Sequence, residues 1–428
     1  MRSKIKQIFK SEILKNVLTL FTGTVIAQAI PFILAPVISR IYTSADFAFF
    51  ADYISIFNLV AVISTGRYSF AIVSAEKQKD AVNLLALSVI IAGIVSIISL
   101  LLLIPLHSYI AVWLDNPKLS NWLFFIPAGI VFFGLFEALT YWLNRNKRYK
   151  SLSSAKIART SGIGGINIAV GLLKFKKSGL IIGQIFGDFL AGLTASIIFW
   201  KKDKNKLKEI SKNDIKRVAE KYKEFPLFNS IQAFSDKFRE SGVILIISSF
   251  FTDSVTGNYF WGIKYAKAPI TILTFALFQV FYQKFSEINN KGENLVPLLV
   301  NILKKNILIS FSLFIVFFFF AEPLFAFVFG EEWRQAGYFV KILSPFLAIN
   351  FLTGPISFIP FVLKKQKEFL KIALFYNFAV PLGVYIYSYN FHNIEYTVIA
   401  QTIIGSISLL IILFWLISST KKYDRQAK

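Results

Sequence analysis

Residues 233–242 read AFSDKFRESG, set between EFPLFNSIQ (224–232) and VILIISSFF (243–251). Both flanks have the texture of lipid-embedded helix, yet Asp236, Lys237, Arg239 and Glu240 fall inside the stretch. How a segment this apolar accommodates four charges decides both the fold and what the fold is for.

The surroundings set the class. Of 428 residues 55% are hydrophobic, 47 of them Phe, and long apolar runs recur along nearly the whole chain. That composition predicts a polytopic, all-α membrane protein. The formal charge of +23 would suggest nucleic acid in a soluble protein. Here it follows from topology, because cytoplasmic loops collect Lys and Arg, and no nucleic-acid partner is expected. The absence of Cys excludes disulfides, iron–sulfur clusters and thiol chemistry. His107 and His392 are too few and too far apart in sequence for a histidine-rich metal site.

Twelve spans are expected, at about 13–38, 46–65, 81–105, 121–143, 152–173, 179–200, 226–250, 255–282, 298–320, 336–363, 367–388 and 394–419, each near the ~20 residues that cross a bilayer. The first has features of a signal peptide: basic residues, an apolar stretch, then AQA at 27–29. Its apolar run continues to Ser39, so an uncleaved helix is the simpler reading. Arg40, Lys118, Lys174, Lys176, Lys177 and Arg334 fall on one side of this topology, and seven basic residues lie within spans. The rest of the 47 Lys and Arg, with both termini, fall on the other side, which the positive-inside rule assigns to the cytoplasm.

The halves resemble copies. YTSADFAFFA from Tyr42 parallels FTDSVTGNYF from Phe251, WLNRNKRYK from Trp142 parallels VLKKQKEFL from Val362, and Gln184 and Gln401 occupy equivalent places in spans six and twelve. The expected organisation is therefore a six-helix lobe (1–200), a basic cytoplasmic linker (201–224) and a second six-helix lobe with a short basic tail (225–428). Repeats of this kind are common in transporters, with the substrate site at their interface.

Charges inside the spans carry the functional signal. Lys156, Arg159, Lys237, Arg239, Lys264, Lys267 and Lys341 are the cations; Glu137, Asp188, Asp236 and Glu240 are the acids; Arg67 ends span two. Each charge at mid-membrane costs roughly 3 kcal/mol even on the gentlest scale, so the set facing lipid would cost on the order of 30 kcal/mol. That exceeds the stability of most folds. They must face a wet cavity, pair, or snorkel. Lys156 with Arg159 and Lys264 with Lys267 are spaced i, i+3, and Asp236 with Glu240 i, i+4, so each pair shares a helix face. An excess of cations inside the bundle suits an anionic substrate. Simpler roles stand beside this one: a salt-bridge set on span seven, snorkelling of Lys156, Arg159 and Lys341, and hydrogen bonding by Glu137 and Asp188. Tyr141, Trp142, Tyr259, Trp261 and Tyr265 read as interfacial aromatics, some available to stack on sugar rings. Pro31, Pro36, Pro269, Pro345, Pro355, Pro360 and Pro381 fall within spans and bend them, or gate.

There is no G-x-x-x-x-G-K-[ST] and no D-x-D, and no long extramembrane segment to house catalysis. Transport is favoured over chemistry. A drug antiporter would want net acidic lumen charge. A glycan polymerase or ligase would want a large periplasmic loop. A scaffold in an export complex would tolerate charge reversal.

The sequence also resembles a known family, the bacterial polysaccharide (O-antigen or capsule-unit) flippases of the MATE-like multidrug, oligosaccharidyl-lipid and polysaccharide exporter (MOP) superfamily. PVISRIYTSADFAFFADYISI, RYSFAIVSAEKQKDAVNLLALS, YWLNRNKRYK, KYKEFPLFNS and FGEEWRQAGYFVKILSPFL carry the likeness. Many relatives have an acidic residue after the Arg-Tyr pair, where this chain has Ser69. The resemblance implies a MATE-like bundle of twelve helices in two lobes with a central cationic cavity in the bacterial inner membrane. It implies translocation of undecaprenyl-diphosphate-linked oligosaccharide to the periplasmic leaflet by alternating access. Arg67, Lys156, Arg159, Lys237, Arg239, Lys264, Lys267 and Lys341 would face the pathway. Glu137, Asp188, Asp236 and Glu240 would tune it or carry a coupling H⁺ or Na⁺. No other cofactor is expected. The partners would be the lipid-linked substrate, membrane lipids, and polysaccharide polymerase or chain-length machinery.

Overall fold

A computed structural model describes residues 12–426. The basic residues ahead of the first span, used above for orientation and the signal-peptide comparison, lie outside the described residues, as do the last two of the tail. Every long element is a helix, as a chain must be when no water is present to satisfy its backbone. In order they are α1 (Glu12–Ile41), α2 (Ser44–Ala61), α3 (Gln78–Trp113), α4 (Ile126–Arg145), α5 (Tyr149–Leu172), α6 (Lys176–Asp203), α7 (Ser230–Phe250), α8 (Asp253–Asn290), α9 (Val296–Phe329), α10 (Arg334–Thr353), α11 (Gln366–Phe391) and α12 (Ile394–Gln426). Ten stretches among the described residues are long and apolar enough to cross a membrane. The two long helices outside that set are α5 and α7. Both carry in-span charges, Lys156 and Arg159 on one and the 236–240 group on the other, and these lower their hydropathy.

Two expected spans are interrupted. Span two stops as α-helix at Ala61, and the chain turns through Gly66 and Arg67, both at positive φ (55° and 59°), before a short helix Tyr68–Ser74. Span ten ends as regular helix at Thr353; a tight turn Gly354–Ile356 and a short helix Ile359–Val362 follow. Pro355 and Pro360 each remove a backbone donor, and each sits in the first turn of its own short helix, where that loss is harmless. The helix α1 runs unbroken through AQA at 27–29.

The chain divides into two compact units. The first holds residues up to 42 and 49–237; the second holds 43–48 and 238–428. In the first, α5 packs on α6 and α1, α3 on α4, and α4 on α6. In the second, α9 packs on α10, α11 on α12, α10 on α12, and α8 on α10. Small residues set the closest approach, as is usual where lipid supplies no hydrophobic drive. Gly179, Gly183 and Gly187 recur every fourth residue on α6. A Cβ at Gly187 would stand 2.3 Å from Ile163 Cγ1 and 2.8 Å from the Arg159 carbonyl oxygen, so the α5–α6 contact requires glycine there.

The 201–224 segment is docked rather than loose. Its helix, Lys212–Lys221, starts on a Ser211 cap that accepts from the Asp214 N–H and packs on the first turns of α3. Val218 is fully buried, and the Tyr68 hydroxyl donates to the Ala219 carbonyl (2.9 Å). Buried Asp80 receives Arg217 (2.8 Å) and Lys221 (3.1 Å), and Lys79 reaches back to Asp214 (2.7 Å). The bond from Lys79, then those from Ser211 and Arg217, holds the Asp214 carboxyl well below the usual carboxylate range. Bonding to Asp80 raises Arg217 and Lys221.

Candidate functional site

Each unit carries its own group of in-span charges. In the first, the break after α2 places Arg67 on Glu137 of α4 (3.7 Å). Glu137 also accepts from the Thr65 hydroxyl (2.9 Å), which lies 3.0 Å from the Ser69 hydroxyl. Ser69 thus leaves Arg67 to find its carboxylate on another helix, and both Glu137 oxygens are engaged. One turn of α5 presents Lys156 and Arg159 together, as their spacing predicts. Close α5–α6 packing brings Arg159 Nε to Asp188 Oδ1 (2.5 Å), and Gln184 donates to the other Asp188 oxygen (2.9 Å). Asp188 is fully buried, and the guanidinium lies 5.8 Å from the ring centroids of both Phe133 and Phe136. Lys156 donates to Thr24 of α1 (3.2 Å) and has no carboxylate partner among the described residues. Lys156, Arg159 and Glu137 line a cavity of about 300 Å³ between α1, α4 and α5.

In the second unit, Arg239 of α7 lies over the Tyr376 ring (4.6 Å) and donates to buried Asn377 of α11 (3.0 Å). Glu240 stands between Arg239 (4.0 Å) and Lys267 of α8 (3.7 Å), tying α7 to α8. Lys264, one turn before Lys267, is held differently. Its ammonium lies 5.4–6.0 Å from the rings of Phe47, Phe260, Trp261 and Tyr265. All four rings are buried, whereas the Lys264 side chain is exposed, and no carboxylate pairs with it among the described residues. Each such cation–π contact contributes about 0.5–1 kcal/mol or more when desolvated, and leaves the positive charge unneutralised. Asp236 and Lys237, the last residues of the first unit, are half-buried on α7, Asp236 one turn before Glu240.

Lys341 pairs with Glu322 of α9 (2.8 Å) above the Phe318 and Tyr338 rings. Glu322 escaped the sequence reading, although a lone acid in FFFFAEPLF is a visible anomaly. Asn377 and Tyr376 were also missed, and so was Phe47 as part of the Lys264 ring set. Their proximity depends on which helices touch, and no local pattern encodes it. Among the described residues no group of three or more His, Asp or Glu is placed to hold a metal ion. Half-buried and exposed cations of this kind, paired and unpaired, can bind anionic groups.

Comparison with known proteins gives a consistent picture of the fold. A family model described as polysaccharide biosynthesis protein matches residues 33–337. No curated protein matches the sequence significantly. Among solved structures, an inward-facing multidrug resistance MATE family transporter of the MOP superfamily aligns at TM-score 0.68 and 14% identity, covering 94% of this chain and 95% of its own. The lipid II flippase MurJ, in an inward closed conformation, aligns at TM-score 0.66 and 14% identity, covering 95% and 90%. A MOP superfamily transporter from Pyrococcus furiosus, described as having a binding pocket of reverse polarity, aligns at TM-score 0.59 and 13% identity, covering 95% and 96%. At these identities the likeness is one of fold: the chain is a multi-spanning, all-α membrane protein with MATE-like architecture.

Proposed function

This chain belongs to the polysaccharide biosynthesis protein family, and on that premise we propose that it is a flippase for undecaprenyl-diphosphate-linked oligosaccharides. The proposed reaction moves the glycan unit across the bacterial inner membrane by alternating access, for surface polysaccharide assembly. The architecture proposed with it is twelve spans in two six-helix lobes (1–200 and 225–428) joined by the 201–224 linker, with both termini cytoplasmic. Corresponding pairings support a repeat: α3 on α4 matches α9 on α10, α4 on α6 matches α10 on α12, and α5 on α6 matches α11 on α12.

One observation carries the functional reading. Cations outnumber carboxylates within the spans, and two of them, Lys156 and Lys264, have no carboxylate partner among the described residues. Keeping such a charge at bilayer depth is costly unless an anion arrives to meet it. A lipid diphosphate is such an anion, and its polyprenyl tail can stay in the bilayer. Arg67, Lys156, Arg159, Lys237, Arg239, Lys264, Lys267 and Lys341 are assigned to substrate charge. Glu137, Asp188, Asp236 and Glu240 are assigned to charge tuning or to a coupling H⁺ or Na⁺. The cation excess also weighs against export of hydrophobic cations, the antiporter alternative.

The test is leaflet-resolved transport of defined lipid-linked oligosaccharides in proteoliposomes, with and without ion gradients. The Lys264→Ala/Lys267→Ala double variant is expected to insert normally and to lose transport and surface glycan assembly at least tenfold. Unchanged transport in that variant would remove both residues from the pathway.

A further inference from the structure

The ion pair of Arg67 does not account for where Arg67 sits. Its Nη1 stands 3.7 Å from Glu137 Oε1, beyond hydrogen-bond distance, and its buried Nε has no hydrogen-bond partner among the described residues. The guanidinium rests over the Phe70 ring (4.8 Å), on the short helix Tyr68–Ser74 that follows. The backbone at Arg67 is left-handed (φ 59°), a conformation that a non-glycine residue keeps only where its surroundings over-determine it. A pair this loose cannot do that, so the support comes from whatever holds the short helix.

At its C-terminal end Arg145 of α4 donates to the Ile72 (3.0 Å) and Ala75 carbonyls. At its N-terminal end the Tyr68 hydroxyl donates to the Ala219 carbonyl, 151 residues on, in the last turn of the linker helix Lys212–Lys221. Helices leave such last-turn carbonyls for outside donors. The Tyr68 ring and Val218 belong to one buried cluster. The linker helix is itself fixed to α3 by more than charge. Buried Asn83 donates to the Glu209 carbonyl (3.0 Å) and accepts from the Ser211 N–H (3.1 Å). Asp80, on the same face of α3, takes Arg217 and Lys221. Bonded groups therefore run without a gap from α3, through the linker helix, to the residue next to Arg67. We propose that Tyr68 is a positioning residue, which couples docking of the linker helix to the placement of Arg67 beside Glu137. When the linker helix lifts from α3, the break opens and Arg67 leaves Glu137. The consequence for transport rests on the reading of Arg67 as a substrate-facing charge; the coupling does not.

The test uses the full chain in nanodiscs without lipid-linked glycan. The chain has no Cys, so Ser69→Cys supplies a single thiol, fully buried and one residue beyond Tyr68. Its rate of modification by a maleimide reports opening of the break, and limited proteolysis between residues 204 and 224 reports lifting of the linker helix. Arg217→Glu with Lys221→Glu sets like charges against Asp80 and is expected to raise both rates about fivefold or more. Tyr68→Phe removes one neutral hydrogen bond and should raise thiol modification about fivefold. Coupling is reciprocal, so it should raise linker cleavage by a similar factor. Joined in one chain, the two changes should speed modification no more than about twofold beyond either alone, because both break the same connection. Ser96→Cys, buried deeper in α3, serves as the control for general loosening and should keep its slow rate in every background. Faster cleavage with unchanged modification at Ser69→Cys overturns the proposal, and so does unchanged cleavage in both variants. Effects that multiply in the combined chain, or equal rises at Ser69→Cys and Ser96→Cys, overturn it as well. No substrate enters these measurements, so the flippase reading and the coupling can each fail alone.

Discussion

The two units solve one electrostatic problem in different ways. The first pairs its arginines with acids on neighbouring helices, Arg67 on Glu137 and Arg159 on fully buried Asp188. The second shares the more open Glu240 between Arg239 and Lys267, and surrounds Lys264 with four aromatic rings. A carboxylate cancels a cation's charge, whereas a ring quadrupole steadies it and leaves its field intact. The contrast teaches where rigidity and ligand affinity reside: paired arginines hold helices together, and ring-held or hydroxyl-held lysines remain available to an anion.

The largest break in that contrast is expected at Asp188. Asp188→Ala leaves half-buried Arg159 without its fully buried acid, and the loss is expected at about 3 kcal/mol, the low end for breaking a buried pair. Glu240→Ala acts on an acid that is 38% exposed and should cost about 1 kcal/mol or less, as solvent-screened pairs do. Unfolding of both variants in matched detergent measures the difference, and equal losses would remove the distinction between the units. A smaller effect is expected at Gly187→Val. The added carbons meet Ile163 and the Arg159 carbonyl, and overpacking of this kind costs about 1–3 kcal/mol. It should also weaken the Arg159–Asp188 bond, so its loss combined with Asp188→Ala should be less than additive in a double-variant cycle.

The smallest effect concerns the linker helix, a feature described only in the first unit. Asp214 titrates lower in the folded protein than the about 3.9 of an unfolded chain, so its contribution is complete above about pH 5 and is lost as pH falls through the folded value. Lys221 titrates higher than in the unfolded chain, so its contribution is present below about pH 10.4 and is lost as pH rises beyond that. Limited proteolysis between residues 204 and 224 should therefore be constant from pH 5 to 10 and rise outside that window. Cleavage that already rises between pH 7 and 5 would contradict docking through these ion pairs.

Much of the plan was legible in the chain because hydropathy is additive along a sequence. Long apolar runs name their helices without reference to partners, and i, i+3 spacing places Lys156 with Arg159 and Lys264 with Lys267 on one face. Interruptions were less legible. After Ala61 the backbone bonds tighten to three-residue turns before left-handed Gly66 and Arg67, and after Thr353 the chain turns at Pro355; a hydropathy window averages both breaks away. Least legible were the partners. Nothing near Lys341 in sequence points to Glu322, and nothing near Arg239 points to Asn377, 138 residues away.

The sequence by itself therefore determined a bundle of membrane helices with more cations than acids inside it, since the cost of placing charge in hydrocarbon falls on each residue alone. Which cations are neutralised and which stay available was decided only by tertiary structure. Coulomb and ring contacts act over a few ångströms, and those distances are set by which helices pack together, as glycine-set α5–α6 packing sets the Arg159–Asp188 bond.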